Sequence, residues 1–259
     1  FLFPEGTPTV VVTSFCASAL FDAYEITGRE EYLSVALSTA DFVMNDLHRT
    51  KKENGFLFSY SPLNGNNTVY NASLLGTTLL SQCYHYSKNS SYLAAARESA
   101  VACTAAQNND GSWFYGELPV QQWIDSFHTG YNLEALVTYQ HLTGDTSFSE
   151  SIEKGFGFYL NNFFLPDGTP KYYHNKTYPV DIHSPAQFIV ALCKSDKLDK
   201  HRDLADRVLN WTISNMQDPS GYFYYQKHRL YTNKISYMRW SNAFMFNALS
   251  LYLLNSHVE

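Results

Sequence analysis

Gly55-Phe-Leu-Phe-Ser-Tyr60, Gly111-Ser-Trp-Phe-Tyr115, Gly168-Thr-Pro-Lys-Tyr-Tyr173 and Gly221-Tyr-Phe-Tyr-Tyr225 are four versions of one phrase: a glycine, then a short aromatic run. They recur at intervals of 56, 57 and 53 residues. A fixed period of this length marks a repeat architecture. Ahead of each glycine runs an amphipathic segment, and ahead of that a more apolar one. The joint between the two also repeats, as Tyr24-Glu-Ile-Thr-Gly28 and Tyr139-Gln-His-Leu-Thr-Gly144. Gly28 and Gly144 suit the residue just past a helix, where the left-handed conformation costs glycine least.

The unit is therefore an apolar helix, a tight turn, an amphipathic helix and a long loop carrying a short aromatic strand. Periodicity and end signals predict helices over 9–26, 30–47, 70–87, 91–107, 123–142, 146–163, 183–195, 198–217 and 239–255. The odd-numbered helices are apolar nearly all round, as in Phe244-Met-Phe-Asn-Ala-Leu249, and are expected to form an inner layer. The even-numbered ones carry charge on one side, as in Asp199-Lys-His-Arg-Asp203, and are expected outside. The expected fold is all-α, an α/α toroid of helical hairpins with short aromatic β segments in its loops. Residues 1–259 are read as a single domain. Nine helices fall short of the twelve of a six-hairpin ring. The chain opens Phe1-Leu-Phe-Pro4 without Met or a signal pattern, so N-terminal helices and any targeting segment are expected to be missing.

Of the 259 residues 45% are hydrophobic and 16% aromatic, with 20 Tyr and 18 Phe. That suffices for a sizeable core and leaves tyrosines for half-apolar, half-hydrogen-bonding surfaces such as a sugar groove. The formal net charge is −6 with no basic run, which argues against a nucleic-acid partner. No apolar run reaches the roughly 20 residues of a membrane span. Cys16, Cys83, Cys103 and Cys193 are far apart and read as small core residues, compatible with a reducing compartment; the location is otherwise open. Five Asn-x-Ser/Thr triplets carry little weight, since Asn71 falls inside a predicted helix. There is no H-E-x-x-H, no G-x-S-x-G, no P-loop and no dinucleotide glycine pattern, and neither metal nor cofactor is expected.

If the long loops share one face, the residues after them share a mouth, where ligands prefer to bind. The third loop, running from Gly111 to Gly130, supplies Trp113, Tyr115, Glu117 and Trp123. It ends in Asp125 and His128, three apart at a helix start and so on one face, with Tyr131 and Asn132 following. The next helix start, Tyr178-Pro-Val-Asp-Ile-His-Ser-Pro-Ala-Gln187, supplies Asp181, His183 and Gln187. The last supplies Arg239, Trp240 and Asn242. Asp125, Asp181 and Arg239 stand 56 and 58 residues apart, so one structural position carries Asp, Asp and Arg in turn. Either aspartate alone could be a helix cap. A cap leaves unexplained the His and amide beside it in two units, and convergent titratable groups point to a site. Trp113, Tyr115, Trp123 and Trp240 either stack on sugars or brace loops. Arg239 either grips a carboxylate or sulfate or pairs with a neighbouring acid.

Gly-Ser-Trp-Phe-Tyr-Gly-Glu, Trp-Ile-Asp-Ser-Phe-His-Thr-Gly, Tyr-Pro-Val-Asp-Ile-His-Ser-Pro-Ala-Gln and Arg-Trp-Ser-Asn-Ala-Phe-Met-Phe, all between Gly111 and Phe246, resemble a group of six-hairpin toroid proteins linked to polysaccharide biosynthesis. More distantly the architecture resembles six-hairpin glycosidases, unsaturated glucuronyl hydrolases and N-acylglucosamine 2-epimerases. The resemblance implies a poly- or oligosaccharide ligand, and fold alone does not fix a reaction. Two chemistries stay open. In glycoside hydrolysis Asp125 and Asp181 would be the acid/base pair. In epimerisation or elimination His128 and His183 would exchange a proton next to a carbonyl or carboxylate, helped by Arg239. A non-catalytic glycan-binding or scaffold module is the alternative from another class. A terpenoid-type toroid enzyme would need an Asp-rich motif that is not visible.

Overall fold

The computed structural model describes residues 3–256. Its chain order is α1 (Val10–Thr27), α2 (Glu30–Asp41), β1 (Arg49–Lys51), β2 (Phe56–Phe58), α3 (Tyr70–Ser87), α4 (Ser90–Ala105), α5 (Ser126–Thr143), α6 (Ser149–Asn162), β3 (Val180–Asp181), α7 (His183–Lys194), α8 (Arg202–Met216), β4 (Gln226–Lys227), β5 (Thr232–Asn233) and α9 (Phe244–Ser256). A π turn over Phe42–Asp46 extends α2, and another over Met238–Ala243 leads into α9. Nine α-helices at the expected places, among the described residues, make the chain mainly helical as read. Relative to the predicted ranges, α2 stops at Asp41 and α9 starts at Phe244, each flanked by its π turn, while α8 starts at Arg202 after a short 3₁₀ segment, Asp199–His201, and α5 starts at Ser126, after Asp125.

The residues cluster into two compact units, one running up to Asn109 with Trp113–Gln122 and Ala135–Glu153, the other Asp110–Ser112, Trp123–Glu134 and Lys154 onward. In the first, α3 lies against α4 and α1, and α1 against α2. Small residues permit the α3–α4 approach: Ser73 meets Ser99, Oγ to Oγ at 2.8 Å, and Ser73 Oγ also accepts the Phe58 N–H. In the second, α7 lies against α8 and α9. There the antiparallel sheet β3–β4–β5 pairs Asp181 with Gln226 and Val180 with Lys227.

Each aromatic phrase is fastened at two ends. Its tyrosine carbonyl accepts the backbone N–H at or just ahead of an apolar helix: Val10 to Tyr60 at 3.0 Å, Tyr70 to Tyr115 at 3.2 Å, Ser126 to Tyr172 at 2.8 Å and Ile182 to Tyr225 at 3.1 Å. These N–H groups belong to the first turn, where no intrahelical partner exists. The glycine that begins the phrase has φ near +90° and in three cases lies on the backbone of an amphipathic helix. A Cβ would come within 2.1 Å of the Glu98 carbonyl oxygen at Gly55, 2.3 Å of that of Lys154 at Gly111 and 2.4 Å of that of Arg207 at Gly168.

Helices α3 and α7 are buried nearly all round, in keeping with their apolar sequences. Helices α1 and α9 are less buried. Helix α1 buries a stripe of Val10, Ser14, Ala17 and Phe21 while Val12 and Ile26 are exposed, and α9 exposes Phe246, Leu253 and Leu254. Helix α1, with an 18-residue window of mean hydropathy 1.3, is long and apolar enough to cross a membrane by length and composition. Its stripe packs against α2 and α3. Cys83, Cys103 and Cys193 are buried as read, but Cys16 is exposed on α1, correcting its assignment to the core.

Gly111→Ala combines a forbidden left-handed φ with a collision against the Lys154 carbonyl, whereas Gly221, at φ +100°, has open space around it. Denaturant unfolding should show Gly111→Ala destabilised by roughly 2–4 kcal/mol and Gly221→Ala by about 1 kcal/mol. Equal losses at both positions would mean that the helix contact contributes nothing.

Candidate active site

The second unit brings Trp123, Asp125, His128, Tyr131, Asn132, Asp181, His183, Gln187, Arg239, Trp240 and Asn242 into one body. The bond from Ser126 N–H to the Tyr172 carbonyl and the bridge between Asp125 and Tyr173 hold the start of α5 against the aromatic run after Gly168. Asp125 is thereby fixed just before α5. Its Oδ1 accepts the His128 backbone N–H at 3.0 Å, which is the capping bond expected of an aspartate there. Its Oδ2 meets the Trp123 indole N–H at 2.8 Å and His128 Nδ1 at 2.7 Å. One carboxylate thus caps the helix and orients the imidazole. A carboxylate can only accept, so His128 donates from Nδ1, and Nε2 is the ring nitrogen not engaged by Asp125. Asp125 is 2% exposed, while the His128 side chain is 19% exposed and reachable from solvent.

Asp181 ends β3 and is as fully engaged. Its Oδ1 accepts the His183 N–H at 3.0 Å and the Trp240 indole N–H at 3.3 Å, and its Oδ2 accepts from Gln226 Nε2 at 2.7 Å. It is 1% exposed. Burial pushes its carboxyl up to about 6; the Asp125 charge acts in the same direction, and the three hydrogen bonds oppose it.

His183 opens α7 within aromatic rings. Phe127 stacks on it at 4.7 Å, Trp240 meets it edge-on at 4.6 Å and Phe244 lies at 3.7 Å. Its Nε2 meets the Tyr131 hydroxyl at 2.6 Å, and its Nδ1 is buried without a partner. Burial, with the His128 charge adding to it, pulls the imidazole down to about 3, so His183 is neutral near pH 7.

Gln187 does not join His183 through a side-chain bond; its Nε2 donates to Glu134, whose other oxygen accepts Lys194 Nζ at 2.5 Å. Asn242 is a loop anchor, accepting the Phe223 N–H at 2.9 Å and donating to Ser236 at 2.7 Å. Asn132 is buried, with its Oδ1 unpartnered. Arg239 is exposed and makes no ion pair among the described residues. Trp113, Tyr115 and Glu117 belong to the first unit. There Trp113 is a brace, buried and donating from its indole to the Cys103 carbonyl at 3.0 Å. Tyr115 is buried as well, and Glu117 pairs with Lys52 at 2.5 Å.

Three participants went unread in the sequence. Tyr172 sits in an aromatic run that the repeat explained as structure, Gln226 directly follows another such run, and Phe127 lies between Asp125 and His128, which drew attention for their chemistry. Tyr172 is half-buried, and burial together with the charges of Asp125, Tyr173, Asp181 and Tyr225 raises its phenol far above the ordinary value. The signal for it was its place four residues after a repeat glycine. Among the described residues no group of three or more His, Cys, Asp or Glu gathers to hold a metal ion.

The two shifted groups have opposite linkage. Asp181 rises from 3.8 to about 6 on folding, so its stabilisation is full below pH 3.8 and lost as pH rises through 6. His183 falls from 6.5 to about 3, so its stabilisation is full above pH 6.5 and lost as pH falls towards 3. Between pH 4 and 6 the two slopes cancel, each being at most about 1.4 kcal/mol per pH unit. Urea unfolding across that range should show Asp181→Asn losing stability on acidification relative to the unsubstituted protein, and His183→Gln gaining it. Parallel profiles for all three would contradict the assigned environments.

The family described as the ulvan lyase N-terminal domain matches residues 11–171, more than half of the chain. No curated protein matches by sequence. Among solved structures the chain is similar to cellobiose 2-epimerase from Bacillus thermoamylovorans B4167, at TM-score 0.72 and 14% identity over 90% of this chain and 68% of that one. It is likewise similar to unsaturated glucuronyl hydrolase from Bacillus sp. GL1, at TM-score 0.72 and 13% identity over 96% and 74% of the two chains. A polysaccharide lyase matches at TM-score 0.65 and 12% identity over 95% and 74%. The fold is thus that of the α/α-toroid carbohydrate-active enzymes, and the chain belongs to the ulvan lyase N-terminal domain family.

Proposed function

We propose that this protein acts on an acidic polysaccharide by lyase-type β-elimination, with His128 as the general base. The observation that carries this reading is the engagement of Asp125, which accepts from Trp123, from the His128 backbone and from His128 Nδ1. A carboxylate so occupied orients a base and is poorly placed to protonate a glycosidic oxygen. Asp181 is equally occupied and buried, so the pair lacks the free carboxyl groups that hydrolysis requires.

In the proposed reaction His128 Nε2 removes the proton from C5 of a uronate. The C–H electron pair forms the C4=C5 double bond, the C4–O4 bond breaks, and O4 leaves with a proton. Tyr172 delivers that proton, its raised pKa keeping the phenol protonated until the leaving oxygen demands it. Arg239, exposed and without an ion partner, takes the uronate carboxylate, and Trp240 offers a ring face to the sugar. His183, neutral and enclosed, positions Tyr131 and the aromatic wall. The family match to an ulvan lyase domain supports the same chemistry.

Incubation with ulvan and other uronate polysaccharides should release products with the ultraviolet absorbance of an unsaturated uronate. His128→Ala should lower kcat by at least about 100-fold, and Tyr172→Phe by roughly 10- to 100-fold. New reducing ends without that absorbance would replace elimination by hydrolysis. Binding without any product would make the protein a glycan-binding module, with Asp125 and Asp181 as helix caps.

A further inference from the structure

Residues 226–240 contain Lys227, Arg229, Lys234 and Arg239 and no Asp or Glu, in a chain with 18 basic and 24 acidic residues. Without those four cations the formal net charge of −6 would be −10. Their spacings of two, five and five residues look like no basic run in the sequence. Folding gathers them onto β4, β5 and the segment that follows. The hairpin is closed by the His228 N–H donating to the Tyr231 carbonyl at 2.8 Å, and the His228 ring stacks on that of Tyr231 at 4.3 Å. Lys234 Nζ lies 5.1 Å from the centre of the Tyr224 ring. Arg229, Lys234 and Arg239 are exposed, as are Leu230, Tyr231 and Tyr237. None of the four cations makes an ion pair among the described residues. The nearby carboxylates Asp181 and Asp218 are engaged elsewhere: Asp181 accepts from Gln226, and Asp218 from Tyr224 and Ser220.

The hairpin is also built directly onto the candidate site. Strand β4 pairs with β3, placing Gln226 opposite Asp181 and Lys227 opposite Val180. Trp240, at the far end of the same segment, donates to Asp181. We propose that the β4–β5 hairpin is a docking strip for the anionic groups of a polysaccharide, holding the chain beyond the sugar that lies at His128. This rests on the function proposed above. Exposed rings between cations suit sugars, whose apolar faces stack while carboxylate or sulfate groups meet the charges. A nucleic acid is a poorer fit, because its dense phosphate charge needs a wider positive footprint than one hairpin on an otherwise acidic chain.

The test is affinity electrophoresis in gels containing polygalacturonate, dextran sulfate, neutral dextran or duplex DNA, at low and high salt. The proteins compared are the unsubstituted chain and the triple variant Lys227→Gln/Arg229→Gln/Lys234→Gln. The unsubstituted protein should be retarded by an anionic polysaccharide and pass freely through neutral dextran. The triple variant, with an unchanged unfolding midpoint, should bind at least about 10-fold more weakly and lose most of the salt dependence. Equal binding by the triple variant, no retardation by either anionic polysaccharide, or tighter binding of DNA than of both would overturn the proposal. Since the readout is binding, absence of lyase product leaves this result standing, and lyase activity in the triple variant with unchanged binding sinks the strip alone.

Discussion

The structure depends on a backbone bond made four times: the carbonyl of a loop tyrosine accepts an N–H at or just ahead of an apolar helix. Tyr60, Tyr115, Tyr172 and Tyr225 serve α1, α3, α5 and α7. An orphan N–H at a buried helix start would otherwise cost on the order of 1–3 kcal/mol. The same loops are held at their other end by glycines lying on helix backbone, at Glu98, Lys154 and Arg207. A loop fastened at both ends keeps its side chains in place, and these loops bring tyrosines to the helix starts where the polar residues are.

That bond explains why polar side chains collect where they do. The position just before α5 carries Asp125 and the corresponding one before α7 carries Asp181, and each satisfies a helix N–H. Capping and orienting are compatible because a carboxylate has more acceptor sites than one cap uses. Asp125 spends the remainder on Trp123 and His128, and Asp181 on Trp240 and Gln226. The two environments then diverge. Near Asp125 an imidazole reaches solvent; near Asp181 the imidazole of His183 is enclosed by Phe127, Trp240 and Phe244 and driven neutral. One repeated position thus yields an outward-facing pair and an inward-facing one, distinguished by burial.

Electrostatics follow the same logic. The chain is acidic as a whole, yet the hairpin beyond Asp181 is wholly basic. The sheet register that ties Gln226 to Asp181 also fixes Lys227 beside the site. For the elimination proposed, a base oriented by a carboxylate and a cationic approach are complementary demands, since an anionic substrate must be attracted before its proton can be removed.

The repeat, the helices and the polar residues offered as a candidate site were legible in the sequence, because glycine at positive φ, apolar periodicity and polar residues at helix starts are local constraints. Asp125 with His128 was readable as a pair, since three residues on a helix start share a face. What the tertiary structure alone decided is which polar groups are reachable. Asp181 and His183 look as catalytic as Asp125 and His128 until strand β4 and the rings around them bury both. The placing of Trp113 as a brace, the exposure of α1 and α9, the recruitment of Gln226 and Tyr172, and the gathering of Lys227, Arg229, Lys234 and Arg239 all rest on contacts between distant segments. Burial and charge proximity are properties of the packed chain, and they turn one repeated aspartate position into two different environments.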